Sequence, residues 1–228
     1  GGTLAVTGVP TFTGRSVHSG GITVANAGQI GSVGDADAIA IASNGVVTFS
    51  QNTVGAGGMD LLLNSTISSA VAQFDISSTY INSTYDDYAV YATLLPSADG
   101  THLLMRVFEN GSVLTGDKYS FECSSNSAST YLQSNSVHRF GLSTITLGSA
   151  AGEGATIKIN CHNVNSTTHS FSYGGQSQSF YTDATPTTSN LCGALLPSER
   201  NVVVNGLRIS FESGNITSGI VKVYGIRK

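Results

Sequence analysis

The sequence predicts an all-β protein in two parts. A short-stranded, stalk-like β segment occupies residues 1–55, and an antiparallel β-sandwich of jelly-roll type occupies residues 56–228. Three observations carry that expectation. The chain of 228 residues holds 32 Ser, 24 Thr, 15 Asn and 27 Gly, so turn-forming and β-compatible residues displace the long helix formers. Charged residues are 11% of the chain, against roughly 25% in an average soluble domain. Apolar residues recur in short alternating runs broken by turn clusters, and residues 59–228 contain no period of 3.6 sustained over ten residues. A helical bundle is excluded and a doubly wound α/β enzyme is disfavoured.

The first 55 residues run through TLAVTG, TFTGRSV, GITVANAG and AIAIASNGVVTFS, with a turn every few positions. Strands this short with small side chains are marginal alone. They gain stability when copies from several chains wind together or stack.

The second part reads as a strand series. Met59–Asn64 and Ser69–Phe74 form an opening pair, and Tyr88–Leu95 is a long apolar strand ended by Pro96. His102–Glu109 leads into Asn110-Gly111, a strong hairpin signal. Further strands are expected at Tyr119–Cys123, His138–Leu147, Ala155–His162, Asn201–Glu212 and Ile220–Ile226, with Val113–Gly116 and Ile216–Gly219 as connections. The stretch Ser170–Cys192 carries Phe171, Tyr173, Phe180 and Tyr181 in a Gly- and Ser-rich setting and is expected to be a long loop. Tyr with Ser, Gly and Asn suits a recognition loop, because Tyr offers contact area at little entropic cost. Tyr173, Gln176, Gln178, Tyr181 and Asp183 are therefore the candidate receptor-binding residues.

Catalytic and metal chemistry is hard to assemble. No Gly-x-Ser-x-Gly, HExxH, P-loop or CxxC motif occurs, so no catalytic residue is assigned and no cofactor is expected. Asp86 and Asp87 are adjacent and point to opposite faces of a strand. Asp35 and Asp37 share a face if extended, but two carboxylates fall short of the six to eight oxygens Ca²⁺ takes, unless symmetry multiplies them. They are weak metal candidates, and capping is the commoner use. Cys161-His162 with His169 matches no zinc spacing. The three cysteines, Cys123, Cys161 and Cys192, are an odd and widely spaced set. The first and second lie on the apolar side of alternating runs and read as small core residues. Asn-x-Ser/Thr at Asn64, Asn82, Asn110, Asn165 and Asn215 is expected by chance in this composition.

A net charge of −4 gives no electrostatic footprint for nucleic acid, and no apolar run is long enough to enter a membrane as a helix. GGTLAVTG has neither the basic nor the apolar region of a signal peptide and lacks an initiator Met.

The strings GGTLAVTGVPTFTG and SGGITVANAGQIGSVGDADAIAIASNGVVTFSQ resemble stalk segments of bacteriophage tail fibres and other virion appendages. FDISSTYINSTYDDYAVYATLLPSADGTHLLMRV and VVVNGLRISFESGNITSGIVKVYGIRK resemble a jelly-roll-type domain of structural proteins in tailed phages. The resemblance implies a homotrimeric virion component at the phage tail or capsid surface. Its N-terminal segment would be intertwined and would join it to other virion proteins, while the C-terminal domain is displayed toward host-surface glycan. It supplies no catalytic residue. A capsid decoration protein or head fibre is the alternative within that class. From other classes come a polysaccharide-degrading tailspike enzyme, which needs paired acids with flanking aromatics, and a free carbohydrate-binding module.

Overall fold

A computed structural model describes residues 7–8, 13–14, 17, 19–50, 58–125, 129–140, 146–180, 186–199 and 201–226, with backbone only for 129–134. The chain divides into two compact units, Gly1–Gly57 and Gly58–Lys228. Every sheet is antiparallel, and the described residues contain no α-helix.

In the first unit, β1 (Gly28–Ser32), β2 (Asp35–Ile41) and β3 (Val47–Phe49) form a three-stranded sheet in that order. Asn44 accepts a hydrogen bond from the Val46 amide at 3.2 Å, and Gly45 takes a φ of 84° to close the β2–β3 turn. The register sets Ile30, Ile39 and Phe49 in one line and Ile41 beside Val47. One face of this sheet is thus apolar, although none of these short strands is strongly amphipathic in sequence. Ile30, Val47 and Phe49 keep 44%, 49% and 50% of their surface exposed.

The second unit is built from two sheets. The larger contains β4 (Met59–Ile67), β6 (Asp87–Pro96), β9 (Tyr119–Ser125), β10 (Ser129–Asn135), β12 (Gly154–His162), β13 (Ser172–Phe180), β14 (Pro186–Leu195) and β16 (Ile216–Ile226). Their spatial order is β10-β9-β14-β13-β12-β6-β16-β4. The smaller contains β5 (Gln73–Ile76), β7 (Leu103–Glu109), β11 (His138–Arg139) and β15 (Val204–Phe211), in the order β11-β7-β15-β5. β8 (Ser112–Val113) pairs with β7 across the Asn110-Gly111 turn, where both residues have positive φ, 50° and 78°. That is the primed hairpin geometry the dipeptide favours.

Alternation decides which side chains enter the core. Tyr88, Val90, Ala92 and Leu94 of β6 point inward, as do Ala155, Ile157, Ile159 and Cys161 of β12. Leu103, Met105 and Val107 of β7 and Leu207, Ile209 and Phe211 of β15 meet them from the smaller sheet. One continuous cluster holds residues of both sheets, as in a β-sandwich. Each fully buried Ile, Leu or Phe contributes roughly 1.5–3 kcal/mol through removal of apolar surface from water. Tyr119 ties the two sheets together. Its hydroxyl accepts from the Val107 amide at 3.2 Å and donates to the Leu114 carbonyl at 2.8 Å.

The segment Ser170–Cys192 differs from expectation. Most of it is ladder: Ser172–Phe180 pairs residue for residue with β12 on one side and β14 on the other. The alternation is hidden because small polar residues take inward positions. Ser177, Ser179 and Ser189 are buried alongside Tyr173 and Leu191. Ile216–Gly219, expected as a connection, is the first part of β16.

Candidate functional site

The outer face of the larger sheet carries side chains that no core requires. The pairing registers of six neighbouring strand pairs place seven residues in one line across the sheet: Ser124, Asn190, Gln176, Lys158, Tyr91, Lys222 and Asn64. The next outward-facing line contains Thr188, Gln178, Thr156, Thr93, Ile220 and Thr66. Each strand supplies these residues because its alternate positions, such as Ile157 and Ile159 beside Lys158, are sunk in the core.

Within this surface the contacts are local and leave much bonding capacity open. Gln176 Nε2 donates to Asn190 Oδ1 at 3.3 Å, and the Thr93 and Thr156 hydroxyls lie 3.2 Å apart. Tyr91 packs edge to face against Tyr224, with ring centroids 5.6 Å apart and planes at 82°. Lys158 Nζ lies 5.6 Å from the centre of the Tyr91 ring, a cation–π contact. A depression of about 390 Å³ opens here, lined by Tyr91, Thr93, Thr156, Lys158, Ile220 and Lys222 together with Ala92 and Ile157.

The residues expected from sequence fall in three places. Gln176 and Gln178 are exposed on this sheet face, two positions apart on β13. Tyr181 and Asp183 lie outside the described residues. Tyr173 is corrected: it is 3% exposed, because its strand position faces the core rather than a loop surface. Its ring lies against Gly193, where an added Cβ would sit 2.4 Å from Cε1, so only glycine admits this packing. Tyr173 also forms one wall of an aromatic cage around His138. Tyr119 and Tyr173 meet the imidazole edge to face at 4.6 and 4.7 Å, with Phe121 and Phe171 at 6.4 and 6.5 Å. Among the described residues, neither His138 nitrogen nor the Tyr173 hydroxyl has a hydrogen-bond partner. Burial pushes His138 down to about 3 and raises the Tyr173 hydroxyl well above its usual value. Burial also lifts the Cys161 thiol to about 12, with Asp87 adding to the shift.

The other titratable candidates have local uses. Asp35 Oδ2 accepts from the Ser50 hydroxyl at 3.0 Å. Asp87 accepts from the Asn163 amide at 3.2 Å and lies 3.4 Å from His162 Nδ1. His169 Nδ1 is 2.9 Å from the Thr168 hydroxyl. Cys123 and Cys161 are buried in the core and Cys192 is exposed. Among the described residues, no three His, Cys, Asp or Glu side chains are grouped as a metal site. On the outer face of the smaller sheet, Arg208 holds Asp75 in a two-pronged pair, both contacts 2.7 Å.

Tyr91, Lys158 and Lys222 were not singled out by the sequence, since they come from three strands distant in the chain. The available signal was polar residues alternating with core residues within β12 and β16. No protein-family model, curated protein or solved structure matches the chain.

Proposed function

We propose that this chain is a non-enzymatic virion surface protein, a homotrimeric phage fibre or spike component. In this reading it displays a jelly-roll-type sandwich for attachment to host-surface glycan. The observation that carries it is the line of amide, ammonium and phenol side chains across the outer face of the larger sheet. Amides offer a donor and an acceptor side by side, which suits the hydroxyls of a sugar. An aromatic ring offers an apolar face for the C–H side of a pyranose. Shallow binding of this kind is weak per site, and presentation in threes multiplies it.

The first unit supports self-association. A three-stranded sheet with Ile30, Val47 and Phe49 half exposed leaves an apolar face that copies of the chain can cover. The repeated crossing between sheets, from β4 to β5, β6 to β7 and β14 through β15 to β16, supports a jelly-roll description. The β12-β13-β14 meander lies inside the larger sheet, between β9 and β6.

Two measurements test the reading. Light scattering is expected to give three times the 23.5 kDa chain mass, and a folded monomer at that mass removes the trimer. Tyr91→Ala is expected to reduce adsorption to host cells by at least tenfold, with the thermal transition retained. Unchanged adsorption removes the sheet face as the attachment surface.

A further inference from the structure

Two of the chain's four lysines flank one aromatic ring. Lys158 and Lys222 stand directly opposite Tyr91, one on each neighbouring strand, so the three residues share one line of the sheet. Strands are about 4.8 Å apart, which puts the two lysine backbones roughly 10 Å from each other with the ring between them. Each ammonium has three donors on a flexible stem, so both can converge on one group held above the ring. Neither lysine belongs to an ion pair among the described residues; the five pairs there use His102, Lys118, Arg139, His162 and Arg208.

The Tyr91 ring compensates Lys158 only in part, and among the described residues neither lysine has a carboxylate partner. Two like charges beside one ring repel, and the same line supplies only neutral Gln176, Asn190, Asn64 and Ser124. A charge of opposite sign placed between the ammonium groups relieves the repulsion and forms charge-assisted hydrogen bonds, which are shorter and stronger than neutral ones. The depression of about 390 Å³ at this spot falls in the range of small-ligand sites, about 300–1,000 Å³.

We infer that the ligand of this face is an anionic glycan, with a sugar ring over Tyr91 and its acidic group held between Lys158 and Lys222. This rests on the attachment reading above and names its ligand class. Gln176 and Gln178 extend the surface along β13 for the neighbouring neutral sugars. The acidic group is a carboxylate or a phosphate, since two ammonium ions grip either.

Binding by the intact protein to three immobilised polymers separates the possibilities: polygalacturonate, a poly(glycerol phosphate) and neutral dextran. At low salt the native protein is expected to retain a charged polymer at least tenfold more tightly than dextran, and the preference is expected to fall steeply at 0.5 M NaCl. Retention of the carboxylate polymer alone assigns a uronic or sialic acid, retention of the phosphate polymer alone assigns a phosphorylated glycan, and retention of both assigns an anion of either kind. The double variant Lys158→Gln with Lys222→Gln is expected to lose that preference while keeping its dextran retention and thermal transition. Lys158→Arg with Lys222→Arg is expected to keep it. Equal retention of all three polymers, or an unchanged preference in the Gln variant, overturns the anionic inference and leaves the attachment reading standing. No retention of any polymer, together with normal adsorption by Tyr91→Ala, overturns both.

Discussion

His138 makes a quantitative claim about acid sensitivity. The imidazole is wholly enclosed by Tyr119, Phe121, Phe171 and Tyr173, and burial holds its pKa at about 3 against 6.5 in the unfolded chain. The folded value is the depressed one, so the unfolded chain binds the extra proton. The stability this group permits is present in full above about pH 6.5 and is lost as pH falls from there toward about 3. At pH 7 the loss is about 0.2 kcal/mol, and at pH 4.5 it is about 2.7 kcal/mol, so about 2.5 kcal/mol disappears over that interval. Carboxylates contribute their own acid dependence, which a variant lacking only the imidazole retains. His138→Leu removes two nitrogens without partners, at about 1–3 kcal/mol each, and also removes ring contacts worth about 0.5–1.5 kcal/mol each. These effects oppose, so the variant is expected to match the native protein within about 2 kcal/mol at pH 7. Urea unfolding at pH 7, 5.5 and 4.5 is the assay. The native protein is expected to lose about 2.5 kcal/mol more than His138→Leu between the first and last of these. Parallel pH profiles, or an imidazole that titrates near 6 in the folded protein by NMR, refute the enclosed neutral histidine.

Two further outcomes follow from the same region. Gly193→Ala drives a methyl group into the Tyr173 ring and is expected to cost about 1–3 kcal/mol, read by calorimetry as a fall of several degrees in Tm. An unchanged Tm means the ring does not lie on Gly193. Of the three thiols, Cys192 is expected to react with a disulfide reagent in native buffer, while Cys123 and Cys161 react only on unfolding. Fast labelling of all three contradicts the buried positions.

Several of these features were legible in the sequence for local physical reasons. The Asn110-Gly111 hairpin is one, because both residues tolerate positive φ without help from the rest of the fold. The inward faces of Tyr88–Leu94 and Ala155–Cys161 are another, because large apolar side chains mark every second position there. β13 was not legible. Its inward positions after Tyr173 are Gly175, Ser177 and Ser179, which break the apolar signal although the two serines are buried. Tyr173 reads as a displayed aromatic in the sequence for the same reason. Its destination depends on a gap left by Gly193 on the neighbouring strand, which nothing near it in the chain announces.

By itself the sequence determined the all-β character, through scarce charge, abundant β-branched and small polar residues, and period-two runs between turns. It also determined the positions of the core strands β6 and β12 and of the tight hairpin. Tertiary structure decided which strands are neighbours, and so which side chains share a surface. Lys158, Tyr91 and Lys222 form one line only because β12, β6 and β16 are adjacent in the sheet with that register. A slip of one residue in any of these strands would turn its member of the line inward. Alternation is written in each strand separately, whereas a binding face is a property of several strands aligned. That alignment is fixed by packing between the sheets, a long-range consequence that no single segment encodes.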